Sequence, residues 1–460
     1  MNKKLLGVLL LLVAPILLVA QQSITPDALT RIKKGYSNSD PYAKAVTNAL
    51  SANDAKKLTL NRENVGKTDS YFKYKVKVKG ITDQKSSGRC WMFTSLNLFR
   101  PVVIDKLKVA SFEFSENYLY FYDILEKSNL FLENAIITAD KPMDDRLVEL
   151  YFKSPIDDGG VWSSFVNLVK KYGVVPKEVM PETNSSSNTS KVLAAITTKL
   201  REDGLALRRM VETKSSIADI RNLKMEQLSQ IYRMLALNLG EPPTSFTWRY
   251  QSTDNVISPK VTYTPREFAK QMLPNLNLED YVMFMNDPSR PYYKLYEIEN
   301  YRNVVEGINW KYLNLPADEL KAMALISIKS NEPLYTSCDV GKQLNSEDGL
   351  LSLNNYDMES LYGVKFGMDK KDRILSRESG SSHGMALVAV DVDDNGKTVK
   401  WQFENSWGAT SGQSGYLVFT DDWFTEYVFR LVVNKKYIPE NTKKLLEQKP
   451  VMLPAWDPMF

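Results

Sequence analysis

Three residues in this chain of 460 residues have the types and contexts that acyl transfer needs. His383 is the only histidine, and Cys90 is one of only two cysteines. Asn405 follows His383 by 22 positions, in the run Glu404–Gly408 (Glu-Asn-Ser-Trp-Gly). A catalytic thiol is activated by an adjacent base, and that base is in turn oriented by a third group. The set Cys, His and Asn therefore predicts nucleophilic acyl transfer.

The sequence predicts that Cys90 lies in the first turn of a helix. The apolar residues after Gly88 recur at helical spacing: Met92, Phe93, Leu96 and Phe99. The positive end of a helix dipole favours a thiolate, and a nearby imidazolium favours it further. Gln84 stands six residues before Cys90. Its side-chain amide is expected beside the backbone N–H of Cys90, where the two donors would form an oxyanion hole.

A β-hairpin is predicted to bring His383 and Asn405 together. Residues 384–392 and 398–403 are β-type runs, joined by the turn sequence Asp-Asp-Asn-Gly at 393–396. With those four residues as the loop, the residue numbers of two facing residues add up to about 789. His383 then faces about residue 406, and Asn405 lies next to that partner. The Asn405 side chain would then accept a hydrogen bond from the far ring nitrogen of His383 and fix its tautomer.

Each of these residues alone also has a structural interpretation. Cys90 and Cys338 could form one disulfide in an exported protein. A lone histidine is usually structural, and an Asn or Gln in a loop usually caps a turn. The joint arrangement favours catalysis over these alternatives. With one histidine and two cysteines, a dedicated zinc site is not expected, and no cofactor is predicted.

Residues 1–20 are predicted to be a signal peptide. Lys3 and Lys4 precede the apolar stretch Leu5–Leu18, which is shorter than the run of about 20 residues that crosses a bilayer. We therefore expect cleavage, no integral membrane association, and a mature chain 21–460 that is periplasmic or secreted. The formal charge of +4 is close to neutral and gives no reason to expect a nucleic-acid partner.

The pattern of the chain changes along its length, which predicts an α+β fold. The expected segments are a helical lobe with Cys90 at about 80–184, a helical insertion at about 185–240, a β-rich lobe with His383 and Asn405 at about 320–440, and a C-terminal tail at 447–460.

The run Gln84–Trp91 (Gln-Lys-Ser-Ser-Gly-Arg-Cys-Trp) resembles a hallmark of the bleomycin hydrolase and aminopeptidase C family of papain-like cysteine peptidases. In the usual papain-type motif a disulfide-forming cysteine stands where this chain has Ser87. The resemblance covers nearly the whole mature chain and includes these further runs: Phe112–Ser115, Asp158–Gly160, Tyr172–Lys177, Leu239–Pro243, Cys338–Lys342 and Leu453–Met459.

The resemblance implies a papain-like two-lobed cysteine peptidase fold with a helical insertion. It also implies a role for each matching residue. Cys90 would be the nucleophile, and His383 would be the general base and acid. Asn405 would orient the imidazole, and Gln84 would be the oxyanion donor.

The family resemblance further implies how substrates are selected. Gly159 and Gly160 would line the substrate cleft, although a plain turn explains them nearly as well. Family members form homo-oligomeric rings, typically hexamers. Their C-terminal tail lies in the cleft, so that the terminal carboxylate, here that of Phe460, meets the free amine of a peptide substrate.

The predicted function is that of an exported cysteine peptidase that acts on peptide substrates, as an aminopeptidase on short peptides. Because Phe460 ends the chain a few residues short of the usual family ending, an exported endopeptidase with an open cleft is the alternative. A non-catalytic ring-forming scaffold would not need Gln84, Cys90, His383 and Asn405 intact. A cell-wall amidase would lack the Gln84 spacing and the Asn-Ser-Trp segment.

Overall fold

The computed structural model describes residues 23–37, 39–66, 68–274 and 276–459. The predicted signal peptide and Phe460 lie outside these ranges. The described residues divide into two compact units, one up to Leu60 with Met358–Gly363 and one of Asn61–Asp357 with the residues from Val364 onward. Within the described ranges, no helix is both long enough and apolar enough to cross a membrane.

The helices, in chain order, are α1 (Pro26–Ile32), α2 (Pro41–Ala52), α3 (Ala55–Thr59), α4 (Cys90–Leu107), α5 (Glu116–Ile137), α6 (Arg146–Lys153), α7 (Trp162–Tyr172), α8 (Asn184–Ser187), α9 (Ser190–Glu212), α10 (Ile217–Leu239), α11 (Pro265–Met272), α12 (Ala317–Lys329), α13 (Met358–Tyr362), α14 (Lys370–Leu375), α15 (Asp421–Tyr427) and α16 (Glu440–Leu445). Short 3₁₀ helices lie at Lys33–Gly35, Arg62–Asn64, Leu278–Asp280 and Lys435–Tyr437.

The strands are β1 (Tyr74–Lys75), β2 (Phe246–Trp248), β3 (Val261–Tyr263), β4 (Tyr281–Met285), β5 (Lys294–Ile298), β6 (Lys311–Asn314), β7 (Leu334–Cys338), β8 (Leu344–Asn345), β9 (Leu350–Leu351), β10 (His383–Val392), β11 (Thr398–Glu404), β12 (Tyr416–Thr420), β13 (Val428–Asn434) and β14 (Val451–Leu453).

The smaller unit contains α1, α2, α3 and α13. The first three helices each begin at a polar side chain that accepts a hydrogen bond from a first-turn amide, namely Thr25, Asp40 and Asp54. Such caps satisfy amides that have no partner inside the helix. None of the described residues of α1 and α2 is buried, so their formation depends more on local capping than on a core.

In the larger unit, α4, α5 and α7 pack around a shared apolar core. The Phe99 ring lies 6.2 Å from that of Trp162 and 6.1 Å from that of Phe165, measured between ring centroids. Helix α4 is buried over most of its length, because its apolar residues contact neighbours on several sides. This burial fixes the helix that begins at Cys90.

Helix α5 continues well beyond Leu125, where the aromatic and apolar run at its start ends. Its sequence turns polar after Leu125, but Glu126 and Ser128 are buried in the folded chain. The Ser128 hydroxyl donates to the Ile124 carbonyl at 2.7 Å, which satisfies it inside the helix. Tertiary packing therefore continues a helix that the local pattern would end.

Helices α8, α9 and α10 lie at 184–239, the segment expected to form a helical insertion. The two long helices, α9 and α10, pack against each other and against α5. Their inward faces carry Val192, Ile196, Leu200, Leu207, Ile220, Ile231 and Leu235, all buried. Gly240 ends α10 at φ 86°, a conformation that glycine adopts without strain.

A mixed sheet of twelve strands forms the second layer of the larger unit. Its strand order is β14-β5-β6-β4-β13-β7-β10-β11-β12-β9-β8, and β1 pairs with β10. The sheet is wider than the predicted β-rich lobe of about 320–440, since β1, β4, β5 and β6 precede that segment and β14 follows it. These five short strands are separated in sequence and gain their partners only in the fold.

The hairpin of β10 and β11 forms as predicted, but its register differs from the predicted one. Ala386 faces Glu404 and Val390 faces Trp401, so the facing residues sum to 790 or 791 rather than about 789. The shifts occur between Leu387 and Ala389 and between Asp391 and Val392. An irregularity of this kind adds an unpaired residue to one strand, and no residue type signals it in advance.

Candidate active site

Cys90 is the first residue of α4, as its spacing predicts. Its Sγ accepts a hydrogen bond from the backbone N–H of Gly384 at 3.4 Å. The first amides of a helix have no acceptor within it, so they present positive charge at this end. A Cβ on Gly384 would lie 3.3 Å from the Trp91 Cα, which shows how closely β10 approaches the start of α4.

His383 begins β10 and is buried, with its backbone paired to Cys338 of β7. Its Nε2 lies 2.9 Å from Oδ1 of Asn405. The Ser406 backbone N–H also donates to Asn405 Oδ1, at 2.8 Å. Because a backbone N–H can only donate, the Asn405 atom that faces His383 is its oxygen, and Nε2 therefore carries a proton. The other ring nitrogen, Nδ1, is left for the thiol.

Cys90 and His383 shift each other's pKa. Burial by itself would raise the pKa of Cys90, but the His383 imidazole and the Gly384 amide outweigh burial and lower it. Burial by itself would lower the pKa of His383, but Cys90 and Asn405 outweigh burial and raise it. Opposite charges at close range favour each other's ionised form. The directions of the two pKa shifts are those expected for a thiolate–imidazolium pair.

Trp407 covers this pair on one side. Its ring centroid lies 4.8 Å from that of His383, with 33° between the planes. The segment that carries Trp407 is held by the loop before Cys90, through a bridge between Asp83 and Trp407 and a bond from the Gly408 N–H to the Thr82 carbonyl at 3.0 Å. The indole limits the access of water to the bond between His383 and Asn405.

Gln84 is buried beside the nucleophile loop, and its amide orientation is defined. Its Oε1 accepts from the Ser406 hydroxyl at 2.6 Å, and its Nε2 donates to the Ser87 carbonyl at 2.6 Å. A carbonyl can only accept, so the atom facing Ser87 is the nitrogen. That bond uses one of the two Nε2 hydrogens. The second hydrogen is left for a further acceptor.

Replacement of Gln84 by Ala should lower kcat by about 10²–10³, because one oxyanion donor is removed. KM should change little, since the donor acts on charge that develops after binding. Steady-state kinetics on a fluorogenic amino-acid amide measures both values. Thermal unfolding of Gln84→Ala serves as the stability control, and Gln84→Glu offers a variant of similar shape without the donor. Wild-type kcat in either variant would remove Gln84 from the oxyanion hole.

A cleft of about 370 Å³ opens at Cys90 and His383. Gly159 and Gly160 line it, as expected from the resemblance. Close packing gives a physical reason for glycine at position 160, because a Cβ there would lie 2.5 Å from the Trp91 indole. The Gly159 carbonyl accepts from Lys127 Nζ at 2.5 Å. The glycine edge of the cleft is thus fixed by close packing and by a buried cation.

Lys127 itself is held by an acidic partner below the cleft. Its Nζ lies 2.8 Å from Oδ2 of Asp123, which is fully buried in the same helix. Nζ also donates to the Asp157 carbonyl at 2.9 Å. Burial opposes the ammonium, but these aspartates outweigh burial and raise the pKa of Lys127. Lys127 remains charged and braces the Gly159 backbone.

The C-terminal tail forms part of the cleft wall. Strand β14 pairs in parallel with β5, and Ala455 after it lines the cleft. Two arginines hold the residues that follow. Arg290 Nη2 donates to Asp457 at 2.6 Å, and Arg430 donates to the Met459 carbonyl. Phe460, the proposed carrier of the terminal carboxylate, lies outside the described residues.

The two cysteines are free thiols, so the alternative of a Cys90–Cys338 disulfide does not hold in this structure. Cys338 is buried in the sheet core, and burial raises its pKa well above the usual range. Its thiol is therefore protonated and unreactive, in contrast to that of Cys90. In the described parts of the chain, no three His, Cys, Asp or Glu side chains are grouped as metal ligands would be.

Several residues around the cleft were not identified from the sequence. Ser406 follows Asn405 directly, and a hydroxyl beside an orienting amide was the available signal. Lys127 follows Asp123 by one helical turn in an otherwise aromatic segment, which predicts a pair but not its place at the cleft. Asp158 precedes the two glycines and was assigned no role.

Comparison with known proteins identifies relatives along almost the entire chain. The model of the Peptidase C1-like family matches residues 23–460. Bleomycin hydrolase from Mus musculus is 40% identical over 433 residues, which cover 92% of this chain and 95% of that protein. Aminopeptidase C from Lactobacillus delbrueckii subsp. lactis is 38% identical, with coverages of 95% and 98%. The crystal structure of PepW from Lactobacillus rhamnosis HN001 superposes with a TM-score of 0.90 at 38% identity, covering 95% of this chain and 98% of that one.

Proposed function

The chain belongs to the Peptidase C1-like family and is a cysteine peptidase of the bleomycin hydrolase and aminopeptidase C type with a papain-like α+β fold, and we propose that it cleaves peptide bonds through Cys90, His383 and Asn405. The observation that carries the mechanism is that Cys90 interacts with the His383 side chain and His383 in turn with Asn405. Gly384, which follows His383, donates to the thiol of Cys90, and His383 Nε2 lies 2.9 Å from Asn405.

In the proposed reaction the Cys90 thiolate attacks the carbonyl carbon of the scissile peptide bond. The new negative charge on the oxygen is stabilised by the Cys90 N–H and Gln84 Nε2. His383 gives its Nδ1 proton to the leaving amine, which breaks the carbon–nitrogen bond and leaves a thioester on Cys90. His383 then takes a proton from water, the resulting hydroxide displaces the thiolate, and the free acid departs.

Asn405 supports both proton transfers by holding the ring. Its Oδ1 accepts from Nε2–H of His383, so the transferable proton stays on the nitrogen that faces Cys90. An amide has no titratable proton of its own in this pH range and does not compete for it. The same oxygen is held in turn by the Ser406 N–H at 2.8 Å.

The preferred substrates are proposed to be short peptides with a free N-terminus. The tail lies at the cleft wall. Arg290 binds its Asp457 there, and Arg430 binds its Met459. A terminal carboxylate held near the scissile bond would pair with the α-ammonium of a substrate. The name of the related aminopeptidase C from Lactobacillus agrees with this specificity.

Export through residues 1–20 and assembly into a homo-oligomeric ring, a hexamer by resemblance to the family, complete the proposal. The basic start and apolar stretch of the sequence support export to the periplasm or the medium. N-terminal sequencing of the mature protein and its mass in solution by light scattering test the two points independently.

The terminal carboxylate should determine the preference for a free N-terminus. Deleting residues 458–460 keeps the bond between Arg290 and Asp457 and removes the chain end. We expect kcat/KM for a free-amine peptide to fall about 10–100-fold, since a hydrogen bond to a charged group is lost. The N-acetylated form of the same peptide should become a substrate. Paired assays on the two peptides measure the ratio.

A second variant tests the carboxylate without removing any anchor. Two glycines added after Phe460 move the charge while leaving Met459 bound to Arg430. This extension should also lower the preference for the free amine. An unchanged ratio of free to acetylated substrate in both variants would exclude the tail as the selector and favour an endopeptidase.

A further inference from the structure

The loop that leads to Cys90 is held from outside by one carboxylate. Asp158 lies between α6 and α7, and its Oδ2 accepts the Gly88 N–H at 2.6 Å. The backbone carbonyl of the same residue accepts the indole N–H of Trp91 at 2.9 Å. Asp158 thus contacts the chain on both sides of the nucleophile, through Gly88 before it and Trp91 after it.

The contact with Gly88 is so close that a side chain there would have to displace the Asp158 carboxylate. A Cβ on Gly88 would lie 2.3 Å from Oδ1 of Asp158, well inside van der Waals contact. A hydrogen bond to an ionised carboxylate is about twice as strong as one between neutral groups. The geometry therefore gives Gly88 one defined orientation, set by Asp158.

The Ser87–Gly88 peptide connects Asp158 with the proposed oxyanion donor Gln84. The peptide between Ser87 and Gly88 is planar, so its C=O and N–H point in opposite directions. Its N–H donates to Asp158, and its C=O accepts from Gln84 Nε2 at 2.6 Å. A chain of hydrogen bonds runs from Asp158 to Gln84, and each bond in such a chain polarises the next.

The helical insertion supplies the other contact of the carboxylate. Thr189 precedes α9, and its hydroxyl donates to the same oxygen of Asp158. The loop and the insertion are also joined through their backbones, by the Ser86 N–H to the Ser187 carbonyl at 3.0 Å and the Thr189 N–H to the Ser86 carbonyl at 3.4 Å. Asp158 stands where the insertion and the nucleophile loop meet.

No disulfide cross-links this loop to the rest of the fold. Ser87 occupies the position of the disulfide-forming cysteine of papain-type motifs, and both cysteines of this chain are free. Next to the nucleophile, the buried Arg89 makes two bonds to Glu182, at 3.0 and 2.8 Å. The shape of the loop therefore depends on ionic hydrogen bonds at Asp158 and Glu182.

We propose that Asp158 is a positioning residue for the oxyanion hole, acting on Gln84 through the Ser87–Gly88 peptide. This inference rests on the proposed function, because it assigns Asp158 to the same reaction. Without the carboxylate the peptide can rotate, and Gln84 loses the acceptor that aims its amide at the substrate oxygen. Asp158 thus helps to stabilise the transition state and does not alter the reactivity of the Cys90 thiol.

The test compares the hydrolysis of an amino-acid amide, inhibition by a peptide aldehyde and alkylation by iodoacetamide in the variant Asp158→Ala. An aldehyde forms a hemithioacetal whose oxygen occupies the oxyanion hole, whereas alkylation of a thiol develops no oxyanion. We expect kcat to fall about 10–100-fold and aldehyde binding to weaken by a similar factor. KM and the alkylation rate of Cys90 should stay within about threefold of wild type.

Three further variants make the result specific. Asp158→Asn retains an oxygen that accepts from Gly88 and should recover most of kcat. Asp144→Ala removes an exposed carboxylate that precedes α6 and should behave as wild type. In the Gln84→Ala background, Asp158→Ala should lower kcat little further, since the two residues act in one chain of hydrogen bonds.

The proposal is overturned if Asp158→Ala has wild-type kcat, if its effect adds fully to that of Gln84→Ala, or if alkylation slows as much as hydrolysis. The last result would mean that the carboxylate supports the loop as a whole. A wild-type protein without peptidase activity would instead contradict the proposed function, so the two failures are distinguishable.

Discussion

Cys90→Ala is expected to fold normally and to lose at least about 10⁴ in kcat/KM, because no other group in the cleft can form the thioester. The thiol packs against Gly384 and occupies the start of α4, where alanine is a good helix former. A thermal unfolding midpoint close to that of wild type would show that only the chemistry has been removed. Hydrolysis of a fluorogenic amino-acid amide gives the rate.

Cys338→Ala is the matched control for this substitution. It removes the other thiol from a buried position directly beside the His383 backbone, so it perturbs packing without touching the proposed nucleophile. We expect Cys338→Ala to retain most of its activity and its labelling by thiol reagents. Substantial hydrolysis by Cys90→Ala would show that Cys90 is not the nucleophile. Loss of labelling in Cys338→Ala alone would show the same.

His383→Ala should have an effect of similar size, also about 10⁴-fold or more in kcat/KM, because it removes both the base and the cation that stabilises the thiolate. Asn405→Ala serves as a graded comparison, since it keeps the imidazole and removes only its orientation. It should cost less than His383→Ala. Activity of His383→Ala within about tenfold of wild type would exclude the imidazole from the chemistry.

The pH dependence of alkylation tests the ion pair directly. With the pKa of Cys90 lowered and that of His383 raised, the pair exists between the two values. Wild-type Cys90 should therefore react with iodoacetamide in mildly acidic buffer, and His383→Ala should need a higher pH. The contribution of the pair to stability is lost as pH falls through the lowered pKa of Cys90 and as it rises through the raised pKa of His383.

The sequence predicted where Cys90, His383 and Asn405 lie because each of them stands in a strong local pattern. Cys90 was placed at a helix start by the apolar spacing behind it, and the structure begins α4 there. His383 and Asn405 were placed together by a hairpin whose turn sequence is distinctive. Local geometry of this kind depends on neighbours within a few residues, which a sequence shows directly.

Contacts between distant segments could not be predicted in the same way. Asp158 meets Gly88 across 70 positions, and Arg100 pairs with Glu404 across 304. Burial makes these ionic bonds important, but their residue types are common and their spacing has no period. The five strands outside the expected β-rich lobe also escape prediction, since their partners are set by the tertiary fold.

The free thiols have a consequence for the conditions under which the enzyme operates. Since both cysteines are unpaired, no cross-link in the fold can be opened by glutathione or a similar reductant. The buried Cys338 is protected and its pKa is raised, whereas the pKa of Cys90 is lowered, so Cys90 is the cysteine more open to oxidation. Mild peroxide would then silence the enzyme through a sulfenic acid while the protein stays folded, and added thiol would restore it. The activity of the enzyme would then depend on the ambient redox potential, whereas the stability of its fold would not.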